Sequence, residues 1–548
     1  MTPIFLAIIA LIWLAGTCLR VYRLARYYQI EEYMSRRFLR WLFVQREHWL
    51  PARPLAAWLV GGLLQFFLAE GGLFLPAVIA GVSGVIAVYP PDEGEVKKRF
   101  RATARAKRLL ATAFILITLI LFAAYLTIVS LQVARIAALP LIILSTVGFI
   151  TFLLTPIWLI LGNLLMTPVE AFLRRRFIAR ARRVLEETHP VVIGITGSYG
   201  KTTTKSFLTH ILNGRYKAYP TPKSFNTLMG VCIAINNDLA QDRSIDYFIA
   251  EMGAYIPGEI ARICDLTHPQ ISIVVEVGPQ HLERFGSIEN IATAKYEIIK
   301  ALPVDGVGVF NWDNPYIREM MSRGYPQTRL AVSRQVNPNN APDGVRFVAS
   351  NIQETLDALR FTVTDTATKT SVEMSVPLLG AHNVTNILLA IAVAVHEGLS
   401  LKEITRRIAT LQPAESRLAA QTTPQGITIL NDAYSANPVG VTSALHVLGM
   451  HHTGKRLLIT PGMVELGVLM ESENRKLGEN AAQVATDVIL IGEAQTMPIK
   501  AGLLAAGFPE ERLQTMEMLG EAVEWYQHNL TSGDCVLFLN DLPDTYNR

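Results

Sequence analysis

Cysteine is scarce in this 548-residue chain. Its four cysteines, Cys18, Cys232, Cys264 and Cys535, stand far apart, with no CxxC pair and no Cys/His cluster. A disulfide framework and a cysteine-built zinc site are thereby excluded, and a reducing compartment suits the polar part of the chain. Internal repeats and low-complexity tracts are missing as well, so a repeat array is not expected. Ionisable residues are nearly absent from the long apolar runs, Glu70 apart, which argues against a transporter with charged groups along its path. The net charge of +4 selects no partner by itself; the placement of the charge says more.

What the chain has in excess is apolar sequence near its start. Half of all residues are hydrophobic, and the first third holds the long runs, about 3–19, 55–69, 73–90, 109–129 and 136–165. A helix rises ~1.5 Å per residue and the hydrocarbon core is ~30 Å thick, so about 20 apolar residues cross it. The first, fourth and fifth runs meet or approach that length. The second and third, separated by Glu70-Gly71-Gly72, read as two short helices in a hairpin, or as one buried helix and a re-entrant segment. Eight arginines lie in 20–53, and Lys97, Lys98, Arg99, Arg101, Arg105, Lys107 and Arg108 follow the third run. Six more arginines occupy 174–183, whereas the link at 130–135 has a single positive charge. Basic segments stay cytoplasmic, which predicts five spans with the N-terminus outside and everything after about 165 inside.

A cleaved signal peptide does not fit, because the first run lacks a basic n-region and more spans follow. Since the arginines flank apolar runs, anionic lipid headgroups rather than nucleic acid are their expected partners. The expected division is a transmembrane helical region at 1–168, a basic juxtamembrane linker at 169–189, a larger domain at 190–412 and a smaller domain at 413–548.

From Pro190 onward the pattern alternates between strand and helix. Segments 191–195, 247–250 and 271–277 read as buried strands; 202–212, 290–302 and 383–396 read as helices. Residues 328–378 look like short strands and turns. A second alternating block follows, with strands at 427–430, 456–460, 487–491 and 535–539 and helices near 439–450, 474–485 and 519–529. Such alternation predicts α/β architecture, a domain with a mostly parallel sheet and then a smaller Rossmann-like one; the motif after the first strand makes the former a P-loop domain.

The strand at 191–195 runs into Thr196-Gly197-Ser198-Tyr199-Gly200-Lys201-Thr202-Thr203-Thr204 and then a helix. Glycines let backbone N–H groups close around phosphate oxygens, and the helix N-terminus adds a favourable field. Lys201 can reach the β- and γ-phosphates, and the Thr202 hydroxyl can hold Mg²⁺. The match to GxxxxGK[ST] is imperfect, since Ile195 stands five before Gly200. Glu251 and His281 follow later strands, on the sheet edge where ligands bind. A carboxylate and an imidazole there suit a metal between phosphate and acceptor, although either residue alone reads equally as a surface charge or a capping histidine.

Taken together, these residues resemble the Mur ligase family of ATP-dependent amide ligases, over about 190–538. The resemblance implies that Gly197, Ser198, Gly200, Lys201, Thr202 and Thr203 form the ATP loop. It implies that Glu251, in Ala-Glu-Met-Gly-Ala, and His281, in Gly-Pro-Gln-His-Leu-Glu, hold metal with Thr202. Lys295, in Ala-Lys-Tyr-Glu-Ile, sits where the family carries a lysine carbamylated by CO₂. Asn383 and Asn386 match residues around the adenine, Arg417 an arginine brought toward the phosphates, and Asp432, in Asn-Asp-Ala-Tyr-Ser-Ala-Asn-Pro, a ribose-binding aspartate. The implied cofactors are ATP and Mg²⁺. The implied reaction takes an acceptor carboxylate through an acyl phosphate, which an amine then displaces, with Lys201, Lys295, His281 and Arg417 as catalytic residues.

Within the family the likeness is strongest to the branch adding D-alanyl-D-alanine to a muramoyl-tripeptide. Two departures stand out. Apolar helices occupy the place of the UDP-sugar-binding domain, and the branch's C-terminal Lys-Gly-Ser-Arg-like stretch is replaced by Leu539-Asn540-Asp541-Leu542-Pro543-Asp544. Pro461-Gly462-Met463-Val464-Glu465-Leu466-Gly467 is close to the branch's Gly-Asp-Met-x-Glu-Leu-Gly without matching it fully. The leading expectation is therefore a ligase at the inner face of the cytoplasmic membrane, adding an amino acid or dipeptide to a muramoyl-peptide-type acceptor, within a cell-wall synthesis complex. A poly-γ-glutamate-type polymer ligase and a non-catalytic scaffold or nucleotide sensor are the competing readings.

Overall fold

The computed structural model describes residues 2–49, 51–69, 72–91, 100–130, 138–414, 417–433 and 436–540. Glu70, Gly71, Lys97, Lys98, Arg99, the link around 131–137 and the end of the chain from Asp541 lie outside them. Two compact units result, Met1–Arg176 and Phe177–Arg548.

In the first unit, the apolar run at 3–19 is the start of a longer helix, Thr2–Ile30. At ~1.5 Å per residue it outreaches the hydrocarbon core by several turns, and the excess carries Arg20, Arg23 and Arg26. The second and third runs form helices Ala52–Phe67 and Phe74–Val88, which lie against each other with Gly61 facing Ser83. The fourth is Ala104–Ser130. The fifth run corrects the expectation of one helix: it is broken at Leu154 into Leu139–Leu153 and Thr155–Thr188. Among the described residues, three helices rather than five are long and apolar enough to cross a membrane: Pro3–Ile30, Ala104–Ser130 and Thr155–Thr188. The physical reason is length, since 15 or 16 helical residues span only about 22–24 Å.

Small residues bring these helices together. Gly148 faces the Trp13 ring and Gly16 faces Val88, as expected where close backbone approach replaces a hydrophobic driving force. Arg20 ties the break in place by donating to Phe152 O (2.8 Å), His48 O (2.8 Å) and Trp49 O (3.0 Å). Large apolar side chains such as Leu63, Phe67, Phe74 and Phe122 face outward.

The second unit holds two sheets. The first has nine strands: β1 (Val191–Thr196), β2 (Ala218–Pro220), β3 (Tyr247–Glu251), β4 (Ile271–Val274), β5 (Val307–Asn311), β6 (Thr328–Ser333), β7 (Val345–Glu354), β8 (Leu359–Asp365) and β9 (Thr370–Val376). Their order is β2-β3-β1-β4-β5-β6-β7-β8-β9, parallel as far as β7 and antiparallel beyond it. The strand expected at 271–277 stops at Val274, because the chain then turns to pair Glu276 O with the Ser198 amide of the phosphate loop. The helix Asn383–His396 is apolar nearly all round and buried from Asn383 to Ala394, as a helix covered on every side must be.

The second sheet has six strands: β10 (Ala419–Thr422), β11 (Thr428–Asp432), β12 (Arg456–Thr460), β13 (Asp487–Ile491), β14 (Leu513–Met516) and β15 (Cys535–Leu539). Their order is β10-β11-β15-β12-β13-β14, with only β10 antiparallel. The basic juxtamembrane stretch at 169–189 is helical to Thr188. Its last turns belong to the second unit: Ala181 is fully buried, Phe177, Ile178, Val184 and Leu185 pack around the same core, and Asn236 Nδ2 donates to Phe177 O (2.9 Å).

Candidate active site

β1 lies between β3 and β4, so the chain leaves it in one direction and returns on the other side. That reversal opens a crevice at the carboxyl ends of the strands. Gly197 to Gly200 turn there into the helix Lys201–Leu212. Gly200 has φ +77° and is hemmed in by Asn386, whose Oδ1 would lie 2.6 Å from a Cβ at this position. Both the left-handed backbone and the close approach call for glycine. Lys201 Nζ donates to Gly197 O (2.7 Å) and Ser198 O (3.3 Å), which holds the ammonium over the loop. Burial lowers its pKa to about 8; Glu251 opposes that, while Arg417 and Lys205 add to it.

Glu251 is the last residue of β3 and is almost sealed from solvent. Its Oε2 accepts from Thr202 Oγ1 (3.0 Å) and pairs with Lys205 Nζ (3.0 Å), and its Oε1 accepts from Asn226 Nδ2 (3.2 Å). Burial alone would raise this carboxyl; Lys205, Lys201 and the hydrogen bonds outweigh it, so the net shift is downward. An ionised carboxylate, a hydroxyl and an amide thus converge beside the phosphate loop. Those hard donors fit Mg²⁺ shared with nucleotide phosphates, which needs only one or two protein carboxylates. Among the described residues no group of three or more His, Cys, Asp or Glu side chains forms an all-protein cage.

Lys295, on the helix Ile288–Lys300, is 2% exposed. Burial, then the nearby Lys201 charge, depress its pKa well below the usual lysine value, with Glu297 opposing. His281 falls elsewhere than beside Glu251 in its contacts. It begins the short helix Leu282–Phe285 with φ +54°, and its Nδ1 hydrogen-bonds Glu465 Oε2 of the C-terminal domain.

Between the two domains lies a cleft of about 740 Å³ including its open mouth, lined from both. Tyr199, Gly200, Asn383 and Asn386 contribute from the first sheet's side, and Arg417, Asp432 and Asn437 from the second. Thr204 Oγ1 donates to Asn386 Oδ1 (3.2 Å) and Asn386 Nδ2 to Asn383 Oδ1 (3.1 Å), so both asparagines are fixed by the helix that follows the loop. Asp432 accepts from the Leu418 amide (3.3 Å); burial raises its pKa to about 6 against the pull of Arg417.

Sequence reasoning missed Asn226, Lys205, Glu276, Arg334 and His382. Asn226 lies in an irregular loop with no periodicity to flag it. Glu276 and His382 line the cleft. Burial raises Glu276 to about 7, opposed by hydrogen bonds from Asn314 and the Val277 amide, and lowers His382 to about 4, helped by Arg334 and Arg417. The adjacent motifs Val-Glu-Val-Gly and Gly-Ala-His-Asn were the available signals.

Two domain patterns match this chain: the Mur ligase middle domain over 195–394 and the Mur ligase, glutamate ligase domain over 416–540. The chain belongs to the Mur ligase family and is an ATP-dependent ligase that forms amide bonds with ATP and Mg²⁺. Among its relatives is the UDP-N-acetylmuramoyl-tripeptide–D-alanyl-D-alanine ligase of Escherichia coli, 33% identical over 320 residues, or 58% of this chain and 68% of that one. The Bacillus subtilis enzyme of the same name is 28% identical over 362 residues, 65% of this chain and 74% of that one. The crystal structure of MurF ligase from Thermotoga maritima in complex with ADP shares the fold, with a TM-score of 0.58, 24% identity, and coverage of 67% and 80%.

Proposed function

We propose that this protein is a membrane-anchored ligase that joins an amino acid or dipeptide, such as D-alanyl-D-alanine, to a muramoyl-peptide-type acceptor at the cytoplasmic face. The observation that carries the reading is the shared cleft, in which the phosphate loop of one domain meets Arg417, Asp432 and Asn437 of the other. The relatives that share this core act on a muramoyl-tripeptide and D-alanyl-D-alanine, as their names state.

In this reading Lys201 and Arg417 neutralise charge on the transferring phosphoryl group, and the oriented amides of the loop hold the remaining oxygens. Thr202, Glu251 and His281 would hold Mg²⁺, which when bound would supply charge neutralisation for the phosphates. Asn383 and Asn386 lie along the adenine and Asp432 takes the ribose. Lys295 carries a carbamate: only a neutral amine adds CO₂, and the depressed pKa supplies one. Closure of the 413–548 domain over the 190–412 domain brings acceptor and amine into register, which is where most of the rate enhancement would arise.

The membrane topology does not depend on the span count. The pair Ala52–Phe67 and Phe74–Val88 returns to the side it left, whether it crosses or dips. Three or five passages both leave the N-terminus outside and the catalytic unit inside.

Incubating the detergent-purified protein with ATP, Mg²⁺, bicarbonate and a panel of amines tests this function. The acceptors are UDP-muramoyl-tripeptide and lipid-linked muramoyl-peptides, and the readout is product mass. A gain of one amine mass on a muramoyl acceptor is expected. One observation favours a second reading, a polymer ligase: the apolar first third falls outside both matched domains. Glutamate-dependent ADP release with neither acceptor modified would favour that alternative. ATP binding without any turnover would point to a scaffold or sensor.

A further inference from the structure

Glu465 and His281 face each other across the seam between the two catalytic domains, and both have left-handed backbones, φ +62° and +54°. Non-glycine residues enter that region at a cost and persist there where the surroundings hold them. Around them the seam is built closely. Gly467 sits over the backbone of Glu283, with a Cβ position 3.4 Å from the Glu283 amide nitrogen. Arg284 lies 4.0 Å from Glu465 Oε1 and stacks over Tyr255 at 4.4 Å, while the Tyr255 and His281 rings are 4.6 Å apart. The carboxylate therefore arrives from the C-terminal domain onto one ring nitrogen of a histidine whose other face is fixed by an aromatic ring.

We infer that Glu465 is a positioning residue: it sets the tautomer and ring orientation of His281, so that this histidine becomes a competent metal ligand only when the C-terminal domain is closed. The inference rests on the reading of His281 as a ligand. A histidine ligand usually donates its second ring N–H to a carboxylate, which fixes the tautomer and raises its basicity. Here Nδ1 meets Glu465, and a neutral imidazole that donates there keeps its lone pair on Nε2. Because the carboxylate belongs to the domain that also carries Arg417 and Asp432, metal assembly and cleft closure become one event. An open enzyme would hold its metal weakly and would not spend ATP.

Mn²⁺ binding to the full-length protein, followed by electron paramagnetic resonance with a non-hydrolysable ATP analogue present, tests this without turnover. Wild type is compared with H281A, E465A and E465Q, each checked for an unchanged melting temperature. E465A is expected to weaken Mn²⁺ binding roughly 10-fold or more, approaching H281A, while E465Q keeps an acceptor oxygen and stays within about threefold of wild type by the same second-shell argument. If E465A does not fold, E465N serves, since asparagine tolerates the left-handed backbone and is too short to reach. Weakened binding in H281A with wild-type binding in E465A would overturn the positioning role. Unchanged binding in H281A would instead remove the ligand assignment beneath it.

Discussion

Lys205 Nζ lies 3.0 Å from Glu251 Oε2, with side chains only 5% and 2% exposed. The same ammonium donates to Thr221 O (2.7 Å) and Lys223 O (2.6 Å), so it pins the end of β3 to the loop after β2. Such a buried pair need not add much stability as a pair, but halving it leaves a charge without compensation. Lys205→Met is expected to destabilise the catalytic unit by about 3–5 kcal/mol. Adding Glu251→Gln should recover part of that loss while leaving activity abolished. Denaturant unfolding of the two single variants and the double variant measures the coupling; additive losses would mean that the pair does not act as one.

Glu276 supplies a pH dependence. Its folded pKa of about 7 lies above the ordinary 4.5 because of burial, so the native state keeps a proton that the unfolded chain has lost. The associated stability is complete below pH 4.5, declines as pH rises, and is gone above about 7, a change of roughly 3 kcal/mol. Glu276→Gln carries no proton to lose. Its melting temperature relative to wild type should therefore rise between pH 5 and 7, and a constant difference would contradict the assignment.

Lys295→Arg places a permanent charge where burial and Lys201 depress the pKa of the native amine. Loss of ligase activity by at least about 100-fold is expected, the scale of losing a preorganised charged group in a closed site. Wild-type protein in ¹³C-bicarbonate should show a carbamate carbon resonance that the variant lacks. A wild-type spectrum without that resonance under turnover conditions would exclude carbamylation.

Gly200→Ala tests the phosphate loop. A methyl group would meet Asn386 Oδ1 at 2.6 Å on a backbone with φ +77°. Strain of about 1–3 kcal/mol follows, together with loss of ATP binding, which fluorescent nucleotide titration would detect.

The boundary of the second unit yields a last expectation. A chain starting at Arg183 removes the buried Ala181 and the docked Phe177 and Ile178, and it should melt several degrees below one starting at Arg174. A loss of about 2 kcal/mol of burial, on the order of one core side chain, is enough for that.

Much of this protein was legible in its order of residues. The turn at 197–200 is local: glycine spacing, a lysine and two threonines suffice to mark a loop running into a helix start, which is what the structure has. Short motifs of the same kind singled out Glu251, Lys295, Arg417 and Asp432, and the run lengths marked the apolar helices of the first third. Contacts between segments far apart in sequence were not legible. Nothing local announces that Asn226 turns its amide onto Glu251, 25 residues later, or that Lys205 rather than solvent receives that carboxylate. The break at Leu154 was legible from Pro156, which has no N–H for the Phe152 carbonyl; that Arg20, more than 130 residues away, donates to that freed carbonyl was not. Glu465 reaches His281 over 184 residues only because one domain folds down onto another. Sequence specified the chemistry that each short segment can perform. Tertiary structure decided which of those segments share a charge, since Coulomb and hydrogen-bond partners are set by distance in space, and chain spacing does not encode it.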